Sequence, residues 1–289
     1  MPELPEVQTM VDDLRQKLIG RKIIGLWVGA PKLIKRIPAL SFEKLIKNRK
    51  IEEIRRRGKN IIFYLNDNSA ILIHPKLTGH FLIGSQKDFS FGSGNFSQSH
   101  HHIRLIFYLD KNLAFGLSDL RKFAKVVFYR RKENLEKDLN KDLGPDALEI
   151  DLGEFLNLFQ SRSGRVKTLL MNQKIIAGIG NIYADEILYA AKIHPFVVVK
   201  YLSQDQLKTI YRMMKKILKQ AVKSRGSSVS DFFDTKGEKG VYSRRLLVYN
   251  KKGKPCRCGR AVIQRIKINS RSSYFCPIEQ KPILGSVPK

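Results

Sequence analysis

The sequence predicts an α+β chain of more than one domain: a β-sandwich or barrel opened by a helix, then a helical domain, then a small C-terminal β-hairpin. Three observations carry this. Apolar residues recur with a period near two in short runs as far as Tyr129, and with a helical period from Asp151 onward. A densely charged stretch containing Leu143-Gly144-Pro145-Asp146 separates the two patterns. All three cysteines, Cys256, Cys258 and Cys276, fall in one alternating segment near the end. At 289 residues the chain is long enough for two modest cores.

Each element follows from its pattern. Val7, Met10, Val11, Leu14 and Leu18 share one helical face, and Gly20 ends that helix. Strand-like runs separated by turn residues follow at 22–28, 51–55, 60–65, 70–73, 103–109, 113–117 and 125–129. The Gly/Ser/Phe stretch from Gly84 to Ser99 reads as a surface loop. Helical stripes then occupy 151–161, 167–171, 181–191 and 203–223. The last is the clearest, with Leu207, Ile210, Met214, Ile217, Leu218 and Ala221 on one face before Arg225-Gly226. Residues 226–242 read as a long polar loop, and 247–280 as an alternating hairpin. The expected division is 1–131 for the β domain, 132–150 for a linker, 151–246 for the helical domain, 247–282 for the hairpin and 283–289 for a tail.

Lys and Arg number 54 against 26 Asp and Glu, a net charge of +28. Self-repulsion of this size calls for an anionic partner, and a nucleic-acid backbone is the first choice. A ribosomal component or an anionic-membrane binder shares the composition. With no run of 18 apolar residues and no charged-then-apolar leader, a cytoplasmic location without membrane insertion is expected. An odd cysteine count in such a chain speaks against a disulfide framework and for a small metal-type module.

The start of the chain carries a chemical pattern. Once Met1 is removed, Pro2 is a secondary amine, of a class whose unperturbed pKa is about 8. Its attack on a sugar carbon gives a cationic iminium directly, the electron sink that β-elimination requires. Glu3 beside it is suited to proton transfer, and Glu6 falls in the first helical turn, where negative charge is favoured. Pro-Glu-x-Pro-Glu is equally an ordinary helix start, so these residues alone leave both meanings open. In His100-His101-His102 only His100 and His102 share a strand face, and no carboxylate stands near, so a phosphate contact is favoured over a metal. Gly178-Ile179-Gly180 is not a dinucleotide fingerprint, because Tyr183 replaces the third glycine and no βαβ unit surrounds it.

Three segments together resemble a known family. They are Met1-Pro2-Glu3-Leu4-Pro5-Glu6-Val7, the run from Gln173 to Glu186 continuing to Ile193-His194-Pro195, and the cysteine hairpin with Arg271 five residues before Cys276. In this order, over residues 1–280, the chain resembles the bacterial formamidopyrimidine-DNA glycosylases, the Fpg branch of the Fpg/Nei superfamily. That resemblance implies an N-terminal β-sandwich with its helix, a helix–two-turn–helix domain and a zinc-finger-like hairpin. It implies a monomeric, bifunctional base-excision-repair enzyme, nucleoid-associated in a bacterial cytoplasm and without organic cofactor. Such an enzyme removes 8-oxoguanine and formamidopyrimidines from double-stranded DNA and cuts the abasic site by β,δ-elimination. Leu4 favours this branch, since the Nei branch typically carries glycine there. The alternatives are a Nei-like enzyme for oxidised pyrimidines and a non-catalytic damaged-DNA-binding protein of the same fold.

By the same resemblance Pro2 is the Schiff-base nucleophile, Glu3 the acid assisting base loss and ring opening, and Glu6 a supporting residue. Lys59, in Arg57-Gly58-Lys59-Asn60, is the hairpin lysine near the lesion, and Arg271 grips phosphates of the flipped nucleotide. Eversion of a base leaves a hole. Leu77, where methionine is usual, and Arg121 and Phe123 from the run Asp119–Phe123 are implied to fill it. Asn181, opening a helix whose free N–H groups favour anions, is implied to contact DNA, as are Arg162 and His100. The hairpin departs from the family. Its zinc module is Cys-x-x-Cys…Cys-x-x-Cys, whereas here Cys256-Arg257-Cys258 is one residue tighter and Glu279 holds the fourth position. If zinc is bound, Cys256, Cys258 and Cys276 hold it, with Glu279 or water as the fourth ligand. The spacing favours a hairpin that keeps its shape without metal through the alternation of Val262, Gln264, Ile266, Ile268 and Tyr274-Phe275.

Overall fold

The computed structural model describes residues 2–90, 102–229 and 232–282. His100, most of the 84–99 stretch and the 283–289 tail lie outside the described residues. The chain divides into two compact units, one of Met1–Lys141 with Ser224–Ser243 and one of Asp142–Lys223 with Arg244–Lys289.

The first unit opens with α1 (Leu4–Leu18), whose buried stripe includes Leu4, Val7, Met10, Val11, Leu14 and Leu18. Two sheets follow. One has the order β1-β7-β8-β6, from Ile23–Val28, Ile103–Leu109, Leu113–Ser118 and His80–Ser85. The other has the order β2-β9-β5-β4-β3, from Ile34–Lys35, Lys125–Tyr129, Ala70–His74, Asn60–Leu65 and Ile51–Arg57. Phe63, Phe81, Phe107 and Phe115 meet in the core that the sheets share with α1, and Phe107 stacks on Phe115 at 4.5 Å between ring centroids. Burial of these rings, with the Ile, Leu and Val side chains around them, stabilises the sandwich.

Three short elements here escape a periodicity argument. α2 (Ala39–Ile46) presents only Phe42 and Ile46 to the core. β2 is two residues long. β6 begins with three consecutive buried residues, His80, Phe81 and Leu82, so it shows no alternation. The stretch expected to be a linker from 132 contains α3 (Lys132–Asp142), whose buried face is the pair Leu135 and Leu139 among charged residues. Ser224–Ser243 groups with the sandwich and not with the helical domain to which the sequence division gave it. Its polar side chains pair with α1, as described below.

The second unit contains α4 (Leu152–Gln160), α5 (Val166–Met171), α6 (Asn181–Ala190) and α7 (Gln204–Lys223). The hairpin of β10 (Gln264–Ile268) and β11 (Arg271–Phe275) completes it. Asn269 and Ser270 connect the strands with φ of 46° and 63°, the left-handed pair that a two-residue hairpin turn requires. The hairpin is anchored by buried charge. Lys167 Nζ on α5 lies 2.7 Å from Asp185 Oδ1 on α6 and donates to Ser272 O and Ser273 Oγ. Asp185 Oδ2 accepts from the Tyr274 N–H. Glu186 accepts from the backbone N–H groups of Leu247, Val248 and Tyr249.

Candidate active site and nucleic-acid contacts

The first turn of α1 is fixed rather than frayed. Pro2 is buried and Glu3 is 2% exposed. Glu3 is the N-cap, and it forms a capping box with Glu6. The Glu3 N–H donates to Glu6 Oε2 at 2.8 Å, while Glu6 Oε1 accepts from the N–H of Ser227 at 2.7 Å. Chain ends are normally loose. Here the two carboxylates and the proline ring are held in one buried cluster, placed by helix capping.

Lys59 is buried on the β3–β4 turn, which needs the positive φ of Gly58 (57°). That turn is tied to α1 by Arg56, which donates to Gln8 Oε1 at 2.6 Å and to the Gly58 carbonyl at 3.1 Å. Nearby, His74 accepts the Lys76 N–H on Nδ1. Burial first, then the charges of Lys76 and Lys59, push His74 down to about 3, so the imidazole adds no charge near Lys59 at neutral pH.

Leu77, Arg121 and Phe123 come from two loops that one buried carboxylate joins. Asp119, fully buried, accepts from Thr78 Oγ1 and from the N–H groups of Arg121 and Ala124. Thr78 also accepts the Arg121 N–H. Phe123 is 51% exposed, so it is not the core residue that its chemistry most often signifies. The Arg121 guanidinium lies 4.8 Å over its ring, a cation–π pair presented outward.

In the second unit Asn181 opens α6 behind Gly180. Its Oδ1 is buried without a hydrogen-bond partner among the described residues. Arg162 caps the last turn of α4 by donating to Leu158 O at 2.7 Å. Arg271 follows the hairpin turn, which Asn269 links to Thr168 on α5. A cleft of 280 Å³ there is lined by Thr168, Met171, Asn172, Asn269 and Arg271.

The three cysteine sulfurs lie within 4.8 Å of one another, with Cys258 and Cys276 at 3.7 Å. The Cys258 N–H points at Cys256 Sγ and the Glu279 N–H at Cys276 Sγ, each at 3.5 Å. The Gly259 N–H donates to the Cys256 carbonyl at 3.0 Å and closes the tight Cys-x-Cys turn. The short spacing therefore does not keep the thiols apart. Sulfurs about 2.3 Å from a tetrahedral zinc stand about 3.8 Å from each other, so the trio fits three of its four positions. Glu279 is instead engaged by Lys192 at 2.9 Å and Arg260 at 3.4 Å.

Comparison with known proteins gives the same assignment as these features. Residues 1–126 match the family profile of the formamidopyrimidine-DNA glycosylase N-terminal domain, and residues 143–233 that of its H2TH domain. The formamidopyrimidine-DNA glycosylase of Pelotomaculum thermopropionicum is 36% identical over 97% of this chain and 99% of its own length. The chain belongs to the formamidopyrimidine-DNA glycosylase family. The Mycoplasma mobile member is also 36% identical, over 96% of this chain and 97% of its own. Among solved structures, Lactococcus lactis Fpg in complex with DNA containing an abasic site superposes with a TM-score of 0.86. It has 29% identity and covers 96% of this chain and 99% of that one. MutM in complex with DNA containing carbocyclic 8-oxoguanine gives 0.85 at 30% identity, over 97% and 100% of the two chains.

Within this family's fold, the structure gathers Pro2, Glu3 and Glu6 at one point and ties the Lys59 turn to the same helix. It also joins the Leu77 loop to the Arg121–Phe123 loop. It places Asn181, Arg162 and Arg271 in the second unit. The residues that do the fastening, Arg56, Asp119, Thr78, Lys167 and Asp185, went unread in the sequence. Their partners lie from 18 to 106 residues away or within an unremarkable turn, and no local spacing announces them. No helix among the described residues is long and apolar enough to cross a membrane.

Proposed function

We propose that this chain is a base-excision-repair DNA glycosylase that removes oxidised purines from double-stranded DNA and then cleaves the abasic site. The observation that carries this is the buried, capped first turn of α1, which holds Pro2 beside Glu3. In this mechanism the Pro2 nitrogen, freed by removal of Met1, bonds to C1′ of an everted nucleotide as the base departs. Glu3 protonates the sugar ring oxygen, the ring opens, and the nitrogen and C1′ become an iminium. Loss of a C2′ proton then expels the 3′ phosphate, and a second elimination expels the 5′ phosphate. Lys59 and Arg271 supply positive charge to the phosphates, while Leu77, Arg121 and Phe123 occupy the vacated stack. Asn181 offers a phosphate contact at the α6 N-terminus. Arg162 is a further contact at the end of α4. Cys256, Cys258 and Cys276 would hold a zinc ion that ties the hairpin's base together, in addition to the Lys167 and Glu186 anchors.

Duplex oligonucleotides carrying 8-oxoguanine, a formamidopyrimidine or an oxidised pyrimidine test the specificity. Release of the two purine lesions at rates well above the pyrimidine is expected; the opposite order would assign the chain a pyrimidine substrate. Binding should also weaken steeply with salt. A log–log slope of roughly −4 to −7 is expected for about five to eight neutralised phosphates. A nearly flat response would remove phosphate binding as the purpose of the +28 charge.

A further inference from the structure

One side chain outside the groups just described fastens a whole segment to the nucleophile's helix. Arg225 adopts the left-handed backbone conformation, φ 58°, which costs a residue with a side chain about 1 kcal/mol or more. Its guanidinium forks across two carboxylates. Nη1 and Nη2 reach Asp13 Oδ1 and Oδ2 at 3.0 and 2.7 Å, and Nε and Nη2 reach Asp234 Oδ2 at 3.0 and 2.6 Å. Asp13 is 9% exposed and Asp234 is 2% exposed, and Thr235 Oγ1 adds a further bond to Asp13 at 2.8 Å. Bidentate pairs of this geometry fix orientation as well as charge.

The position of this clamp gives it meaning. Asp13 lies seven residues along α1 from Glu6, two turns away on the same face and about 10.5 Å distant. Glu6 takes the neighbouring residue Ser227 on its N–H and hydroxyl, and takes the Glu3 N–H on its other oxygen. Gly226 between them has no room for a side chain, since a Cβ would stand 2.8 Å from Glu6 Cγ. The segment is also closed on itself. Ser228 Oγ donates to Phe232 O and accepts from the Gly240 N–H, and Asp234 accepts from the Lys236 and Glu238 N–H groups. Segment 224–235 therefore meets α1 at two points, and Arg225 sets the register between them.

We propose that Arg225 is a positioning residue for the Pro2–Glu3 site: by clamping Asp13 and Asp234 it seats Ser227 on Glu6, and through Glu6 it fixes the first turn of α1. This rests on the function proposed above. Without the clamp, Ser227 shifts off Glu6, the capping box loses its second partner, and the nitrogen of Pro2 is held less accurately against C1′. Displacements on the order of 1 Å at a reacting centre cost up to about 10²-fold in rate.

The test uses the full-length protein and an abasic-site duplex. Two variants are compared with the parent. Arg225→Lys keeps the cation and loses the fork, and Asp13→Asn leaves Arg225 paired with Asp234. The readouts are the single-turnover rate at saturating enzyme, the Kd for a duplex carrying an uncleavable abasic analogue, and the melting temperature. A rate lowered roughly tenfold or more in both variants is expected, with Kd changed less than about twofold. Rates equal to the parent in folded variants would overturn the proposal. So would a fall in rate matched by an equal fall in affinity, which would make Arg225 a DNA-binding residue. If either variant melts near the assay temperature, the other decides. If the parent itself forms no borohydride-reducible adduct with this duplex, the proposed function has failed. If the parent reacts and the variants match it, only the role of Arg225 has failed.

Discussion

Pro2→Gly is expected to lower strand cleavage at an abasic site by roughly 10²–10⁴-fold, a range typical of losing one well-placed group from a proton-transfer site. Borohydride should then trap no adduct on the timescale of the parent protein. Glycine also offers a terminal amine, so the argument turns on what the ring provides. A secondary amine condenses to an iminium that is cationic without any further proton. A primary amine gives a neutral imine that must be protonated before it draws electrons from C2′. The ring also fixes φ, and Pro2 is buried against the capped turn of α1. Glycine in its place gives up both packing and direction. DNA affinity should be nearly unchanged, because the phosphate contacts assigned to Arg271, Asn181 and Lys59 do not involve the amine. A variant that cleaves and is trapped at parental rates would show that the reacting nitrogen lies elsewhere.

The second large effect concerns Lys167. Its ammonium is 1% exposed, paired at 2.7 Å with an Asp185 carboxylate that is wholly buried. Burial pushes Asp185 up, to about 7, against the opposing pull of Lys167. Lys167→Met strands that carboxylate and removes the donors to Ser272 and Ser273 on β11. Breaking one partner of a buried pair costs about 3–5 kcal/mol. The single tryptophan, Trp27, lies in the other unit, so the readout is amide hydrogen exchange in α6 and β11. Exchange there should accelerate roughly 10²–10⁴-fold. Adding Asp185→Asn, which keeps an acceptor for the Tyr274 N–H, should recover most of the loss. Unchanged exchange in the single variant would mean that the cysteine cluster and Glu186 alone hold the hairpin.

The two predictions mark where the sequence was legible. Pro2, Glu3 and Lys59 are recognisable because contiguous runs carry the family resemblance: Met1–Val7 at a helix start and Arg57-Gly58-Lys59-Asn60 between strands. The α1 stripe and α7 declare themselves through period 3.6, whereas Phe123 is legible only through the resemblance of the run Asp119–Phe123. Lys167 and Asp185 do not. On α5 and α6 they look like solvated polar positions, and only the packing of two helices against β11 turns them into a buried pair. Segment 224–243 shows the same limit. Its composition is that of any polar loop, yet its bonds to Glu6 and Asp13 bridge more than 200 residues. The cysteine trio shows it in the other direction: the one-residue spacing reads as too tight for a shared ligand, yet with the turn closed by the Gly259 N–H on the Cys256 carbonyl the three sulfurs lie within 4.8 Å of one another.

Everything proposed for catalysis depends on which nitrogen becomes bonded to C1′, and that is measurable directly. The protein is reacted with an abasic-site duplex, reduced with borohydride, digested, and the cross-linked peptide sequenced by tandem mass spectrometry. The sugar remnant is expected on the nitrogen of Pro2, in a peptide that begins at Pro2 with Met1 removed. A remnant on Lys59 or another lysine, or an active protein whose first residue is still Met1, would contradict it.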